Sequence, residues 1–220
     1  MYPAITSPPP NDDPKSRTAF DPRWLALGLA ALLLIASHAD SAKAQFLYRH
    51  IDLPYLAEQA ATIVQGRVVE VRYEGHPDYP HVSTVFVTLE VERMLRGNPA
   101  ERFSFRQYLA GPLARMGKPE YAVGQRLLLF MTRESNYGMS APIAREQGRF
   151  RILRDRQGNE LVANGYGNAG LFRNVPEAAG KAGVSLSPAQ LRIARTERGP
   201  VPLEDFVELV RRLSSQAGTQ

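Results

Sequence analysis

Apolar and polar residues alternate along much of the chain between residues 62 and 163. In residues 83–94, Val85, Val87 and Leu89 occupy one set of positions, and threonine, phenylalanine or glutamate occupies most of the other. A period of two is typical of a strand with one buried face. We therefore predict six short strands, at residues 62–73, 83–94, 102–109, 126–132, 148–154 and 160–163.

Two of these strands depart from simple alternation. Residues 127–131 read LLLFM, a continuous apolar run that favours a strand buried on both faces, so we predict that it is the central strand. Gly66 interrupts the β-branched first strand and is predicted to mark a bulge.

Three other segments are predicted to form helices. Residues 53–61 carry apolar side chains three or four positions apart with Pro54 in the first turn, which predicts a short lead-in helix. Ser187 and Gln190 form a capping box that starts a helix ending at about Arg195. A last helix, with acidic residues early and arginines late, should bury an apolar stripe made of Leu203, Phe206, Val207, Val210 and Leu213.

The order of these elements predicts a mainly β fold, with about six strands in a small antiparallel barrel, sandwich or curved sheet, a lead-in helix and two C-terminal helices. Residues 63–69 (IVQGRVV), 84–97 and 121–130 (YAVGQRLLLF) resemble segments of a widespread group of exported bacterial proteins. The architecture of that group is similar to the OB-like barrel of the netrin and tissue-inhibitor-of-metalloproteinases superfamily. The resemblance covers about residues 57–155 and implies an OB-like barrel.

The N-terminal region has the pattern of a signal peptide. Residues 24–36 (WLALGLAALLLIA) carry no charge, follow three basic residues and precede the small-residue site Ala42-Lys43-Ala44. This run is shorter than the roughly 20 residues that cross a bilayer, and it has the length of a signal-peptide core. We predict cleavage after Ala44 and a periplasmic or secreted product without a stable membrane span. An uncleaved anchor is the alternative, because acids balance the bases of the long preceding segment.

This boundary divides the chain into a signal peptide at residues 1–44, a β-barrel domain with its lead-in helix at 45–175, and a helical segment packed on the barrel at 176–220. The chain contains no cysteine, which excludes disulfide scaffolds, thiol nucleophiles and cysteine-ligated metals. It also excludes the mechanism of the tissue inhibitors, which place an N-terminal cysteine on a protease zinc.

Positive charge is concentrated in one part of the chain. The formal net charge is +5, and residues 93–156 hold thirteen lysines and arginines against five acids. Arg149 and Arg151 share a face of one predicted strand, with Phe150 and Ile152 directed to the core. We predict that Arg106, Arg149, Arg151 and Tyr108 line a basic face that binds an anionic polymer. An ordinary solvated surface is the alternative.

One loop could hold a metal ion. His76, Asp78 and His81 bring two imidazoles and a carboxylate within six residues between the first two strands. Such ligands suit Zn²⁺ or Cu²⁺, although metal sites usually draw on separate elements. An exposed polar hairpin loop is the simpler interpretation.

The chain contains none of the common hydrolase motifs. Residues 165–170 (GYGNAG) match a nucleotide-binding glycine pattern, but the sequence that follows does not predict the helix that this pattern needs, so no nucleotide cofactor is expected. The sequence therefore favours an exported, non-enzymatic binding module, with an anionic polymer or a secreted protein as partner and no cofactor. A metal-dependent hydrolase that uses His76, Asp78 and His81 is the alternative.

Overall fold

A computed structural model describes residues 51–109 and 120–216. Within these ranges the protein is mainly β, with seven antiparallel strands in one sheet and four helices. The predicted signal peptide lies outside the described residues. The helices are α1 (Leu53–Gln59), α2 (Val175–Lys181), α3 (Pro188–Ala194) and α4 (Leu203–Gln216). The strands are β1 (Thr62–Gly75), β2 (Ser83–Arg96), β3 (Arg102–Tyr108), β4 (Arg126–Met131), β5 (Arg149–Arg154), β6 (Glu160–Asn164) and β7 (Val201–Pro202).

The strands lie in the order β3-β2-β1-β4-β5-β6-β7, and β1 and β2 form a long hairpin. Three register shifts interrupt the β1–β2 pairing, and one of them falls between Gln65 and Gly66. The predicted bulge at Gly66 is thus confirmed. A Cβ atom at this position would collide with the carbonyl oxygen of Glu90, so only glycine lets the two strands approach this closely.

The fourth strand in the chain is the middle strand of the sheet, and it separates two hydrophobic cores. Leu128 and Phe130 face a core that the helices cover, whereas Leu127, Leu129 and Met131 face a second core inside the curl of β1, β2 and β3. All five side chains are buried. A strand that supplies both cores must be apolar at every position, which confirms the prediction made from its continuous apolar run.

Helix α4 closes the first core. Leu203, Phe206, Val207 and Val210 are buried as predicted, and Leu213 packs against the same core while half-buried. The segment beyond residue 176 also supplies β7, which pairs with β6.

Two elements are absent from the sequence prediction, namely α2 and β7. Helix α2 is only seven residues long and contains Pro176 and Gly180, and β7 has two residues, so neither has a readable period.

The sheet curls but does not close, so the expected OB-like barrel is not confirmed. The last strand among the described residues ends at Pro202 and continues directly into α4, so none of the described strands pairs with the outer side of β3. There the carbonyl of Arg106 accepts a hydrogen bond from the backbone N–H of Ser140 at 2.9 Å.

Within residues 51–109 and 120–216, no helix is sufficiently long and apolar to cross a membrane.

Arg96, at the end of β2, ties two helices to the sheet. Its guanidinium donates to the carbonyl oxygens of Ala57 and Ala60, beside the end of α1, and to that of Ser214 in the last turn of α4. The final carbonyls of a helix have no partner within the helix, so a cation satisfies them well. Burial lowers the pKa of Arg96. An arginine in this protein can therefore be fully engaged without a carboxylate.

Candidate functional site

Arg106 on β3 belongs to a row of side chains with compensated charges, here called the ladder, on the outer face of β1, β2 and β3. The ladder consists of Arg72, Glu74, Thr84, Phe86 and Arg106. Arg106 donates to a carboxylate oxygen of Glu74 at 2.7 Å and to Oγ1 of Thr84 at 2.9 Å. Its guanidinium lies 5.3 Å from the ring centre of Phe86, and that of Arg72 lies 4.5 Å from the same ring. The hydrogen bond from Arg106 is the largest cause that lowers the pKa of Glu74. Arg106 therefore has its counter-charge inside the protein.

Tyr108 lies on the same outer face, opposite Thr84 on β2, and its side chain is about half exposed. Three strands, β2, β1 and β4, separate β3 from β5. The predicted basic face would need Arg106 and Tyr108 beside Arg149 and Arg151. The structure does not bring these four residues together.

Arg149 is buried rather than exposed, which corrects the expectation that it faces solvent. It donates to the Glu146 carboxylate and to the Glu120 carbonyl, and its guanidinium lies 4.8 Å from the ring centre of Tyr121. The Tyr121 hydroxyl in turn donates to Gln107 on β3 at 2.8 Å, and burial raises the pKa of that hydroxyl. Arg149 is thus part of a network that links β5 to β3 through the segment after residue 120.

Arg151 differs from its neighbour on the strand. It is exposed and makes no ion pair or side-chain hydrogen bond with the residues that the structure describes. It lines a cleft of about 410 Å³, here called the arginine cleft. The lining residues are Arg67, Gly124, Gln125, Arg126, Arg151, Ile152, Leu153 and Arg154.

The arginine cleft exists because β4 begins too late to cover β5. Pairing between these strands stops at Leu127 and Arg151, whereas β5 continues to Arg154. The chain before β4 stays on β1 instead, since the N–H of Gly124 donates to the Val68 carbonyl at 2.8 Å. Gly124 adopts a φ of +88°, which a side chain would strain. A notch therefore opens between this turn and the end of β5.

Two arginines of the cleft are neutralised by carboxylates. Arg126 forms a two-pronged pair with Glu92, both distances being 2.7 Å, and also pairs with Glu160. Arg154 reaches Glu160 at 3.1 Å with most of its side chain in solvent. Hydrogen bonds from Arg126 are the largest cause that lowers the pKa of both carboxyls.

The other two arginines of the cleft form no ion pair among the described residues, although Arg67 lies opposite Glu90 on β2 and its charge helps to lower the pKa of Glu92. Arg67 is exposed, and its guanidinium donates only to the Gly124 carbonyl at 3.3 Å, without an ion pair among the described residues. Arg151 has no partner in that part of the chain. Sequence reasoning missed Arg67, because its place in the cleft depends on β1 pairing with β4, where Arg67 lies opposite Arg126. The chain carries no local signal for that long-range pairing.

A second cleft of about 480 Å³ adjoins the first, and Gln125 and Arg151 line both. Its other lining residues are Glu120, Leu127, Glu146, Arg149, Gly165 and Tyr166. The acids Glu120 and Glu146 lie on either side of Arg149 there, so the positive charge of this cleft is largely compensated. Arg151 therefore lines two clefts: one in which acids pair with Arg149, and the arginine cleft, in which Arg67 and Arg151 form no ion pair among the described residues.

In the loop with the proposed metal ligands, the His76 ring makes hydrogen bonds to the protein backbone. His76 is buried, its Nε2 lies 2.8 Å from the carbonyl of Tyr137, and its Nδ1 accepts from the N–H of Asp78 at 3.1 Å. Both ring nitrogens are therefore occupied. His81 is exposed. Across residues 51–109 and 120–216, no three histidine, aspartate or glutamate side chains are grouped as a metal ion would require, so the structure does not bring His76, Asp78 and His81 together as ligands.

The glycine pattern at residues 165–170 forms successive turns instead of a phosphate loop. Asn168 lies in its centre, buried and with a φ of +58°, and its side-chain amide donates to the carbonyls of Val162 and Gly199. The next helix begins only at Val175. The pattern therefore fastens the end of β6 to the turn before β7.

Comparison of the chain with family models, with curated proteins and with solved structures finds no match. The resemblance to the netrin and tissue-inhibitor superfamily consequently stays a prediction.

Proposed function

We propose that this chain is an exported, non-enzymatic binding module, and that Arg67 and Arg151 hold an anionic ligand in the arginine cleft. Export is inferred from the uncharged segment at residues 24–36 and the Ala42-Lys43-Ala44 site that follows it. The binding proposal places the ligand on β1 and β5, and the residues Arg106 and Arg149 have no part in it.

One observation carries the proposal. In a protein that neutralises most of its buried and half-buried arginines internally, two exposed guanidinium groups that form no ion pair with a described carboxylate line the same cleft. A guanidinium offers a planar set of donors that suits carboxylate, sulfate or phosphate oxygens. The partly solvated Arg154 adds a third donor group at the cleft rim.

The test compares two variants of the full-length chain with equal charge. Arg67→Gln with Arg151→Gln removes both free cations of the cleft. Arg102→Gln with Arg133→Gln removes two exposed arginines that lie outside it and make no ion pair among the described residues. Binding to heparin and to polyglutamate is measured by titration at several salt concentrations.

We expect the cleft variant to bind about tenfold more weakly than the wild type at low salt, since each charge-assisted contact contributes about 1.5–3 kcal/mol before solvent screening. Its affinity should also depend less steeply on salt, because fewer counterions are released on binding. The matched variant should keep most of the affinity. Equal losses in both variants would mean that only net charge matters, and that outcome would refute a specific site.

A further inference from the structure

The arginine cleft faces the edge of a strand. Four consecutive residues of β5, Arg151 to Arg154, all line it. Successive side chains of a strand point to opposite faces of the sheet. A cleft that lay over one face would therefore contact every second residue, and contact with all four places the cleft beside the backbone.

This backbone edge has no strand partner on the cleft side. The β4–β5 pairing ends at Leu127 and Arg151, whereas on the other side β6 pairs with β5 as far as Arg154. Among the described residues, Ile152, Leu153 and Arg154 thus have a neighbouring strand on one side only. A short open edge with alternating N–H and C=O groups is a template for one more strand.

Building on the function proposed above, we infer that the ligand is an extended acidic segment of a polypeptide, which adds to β5 at Ile152–Arg154 as a short antiparallel or parallel strand. Its backbone pairs with the open edge. Acidic side chains on one face of the segment meet Arg151, and those on the other face meet Arg67 and Arg154. Leu153, 43% exposed, offers an apolar contact beside Arg151.

The chemistry of this edge favours a peptide over a polysaccharide. Arginines alone would accept any polyanion, but donors and acceptors spaced as in a strand are complementary to another peptide backbone. The arginines explain why the partner should be acidic, because neither Arg67 nor Arg151 forms an ion pair with a described carboxylate and both are exposed. The same charges also discourage pairing of this edge with a second copy of itself.

The experiment uses the full-length chain and a capped seven-residue peptide of alternating glutamate and valine. Two further peptides carry N-methyl groups on alternate residues, one on the odd and one on the even positions, so that charge and composition are kept while half of the backbone N–H groups are removed. Affinity is measured by titration, and hydrogen exchange is followed at the amides of Ile152, Leu153 and Arg154.

We expect one methylated peptide to bind about tenfold or more weakly and the other to bind nearly as well as the parent, because an added strand directs only alternate N–H groups towards its neighbour. The parent peptide should slow exchange of at least one of the three amides. Equal binding of all three peptides, or tight heparin binding without peptide binding, would overturn strand addition and leave the anion site in place. Failure of the anion site would instead appear as binding that is indifferent to Arg67→Gln with Arg151→Gln.

Discussion

The ladder on the outer face of β1, β2 and β3 and the arginine cleft beside β5 are both rich in arginine, and they treat their charges differently. On the ladder, the strand register sets Arg72, Phe86 and Arg106 side by side, with Glu74 within 3.2 Å of both guanidinium groups. At the cleft, the register sets Arg67 opposite Arg126, so two cations face each other.

Like charges at directly opposed positions normally destabilise a sheet. Here Arg126 pairs with Glu92 and Glu160, while Arg67 is exposed, donates to the Gly124 carbonyl and forms no ion pair among the described residues, although Glu90 lies opposite it on β2. The comparison teaches that the residues set around an arginine decide whether it finds a counter-charge, as Glu74 does for Arg72 and Arg106 on the ladder. Where pairing stops, as it does after Arg151, the charge is left for something outside the chain.

The largest effect expected from this difference separates two arginines of one strand. Arg149→Ala should lower the free energy of unfolding by about 2–3 kcal/mol, because it leaves the Glu146 carboxylate and the Glu120 carbonyl without their donor. Arg151→Ala should change it by less than about 0.5 kcal/mol, since an exposed side chain without partners has little to lose. Urea unfolding of both variants measures the difference. Similar losses would show that burial does not distinguish these two positions.

A smaller effect should appear in the pH dependence of stability. Arg126 lowers the folded-state pKa of Glu92 and of Glu160, so their contribution is complete above the unfolded-state pKa near about 4.3 and is lost as the pH falls through the lower folded-state values. Arg126→Gln should be less stable than the wild type by about 1 kcal/mol at pH 7. The gap should narrow on acidification.

Chemical unfolding of the wild type and Arg126→Gln between pH 7 and pH 3 measures this narrowing. A gap that stays constant over the range would mean that Arg126 stabilises the fold by packing its stem rather than by its charge. The ion pairs of Arg126 with Glu92 and Glu160 would then not account for its contribution to stability.

Local pattern was sufficient to predict most of the fold. Among the described residues, the six longer strands and three of the four helices follow from periodicity and capping, because each such element buries a face whose spacing is written in consecutive residues. Closure of the barrel depends instead on whether a last strand reaches β3. That is decided by the two-residue β7 and its direct continuation into α4, which have no period to read.

The candidate site was predicted less completely, for the same physical reason. The sequence places Arg149 and Arg151 on one face of a strand, which is correct, but only packing shows that the segment from Glu120 to Tyr121 covers Arg149 and leaves Arg151 exposed. Arg67 joins the site through the β1–β4 register. Partners that lie far apart in the chain cannot be read from the spacing of charges.

The smallest expected effect concerns the ladder itself. Arg106→Gln removes the ion pair with Glu74 and the stacking on Phe86, and because Glu74 is solvent-accessible we expect only a small loss in the free energy of unfolding, less than that of Arg126→Gln. Binding of heparin or polyglutamate should stay within about twofold of the wild type, since the Arg106 charge is already compensated by Glu74. Arg151→Gln, which removes the same charge from the cleft, provides the matched control and should weaken binding while leaving stability nearly unchanged. If Arg106→Gln weakened polyanion binding as much as Arg151→Gln does, the neutralised ladder would belong to the binding surface and the distinction between the two regions would not hold.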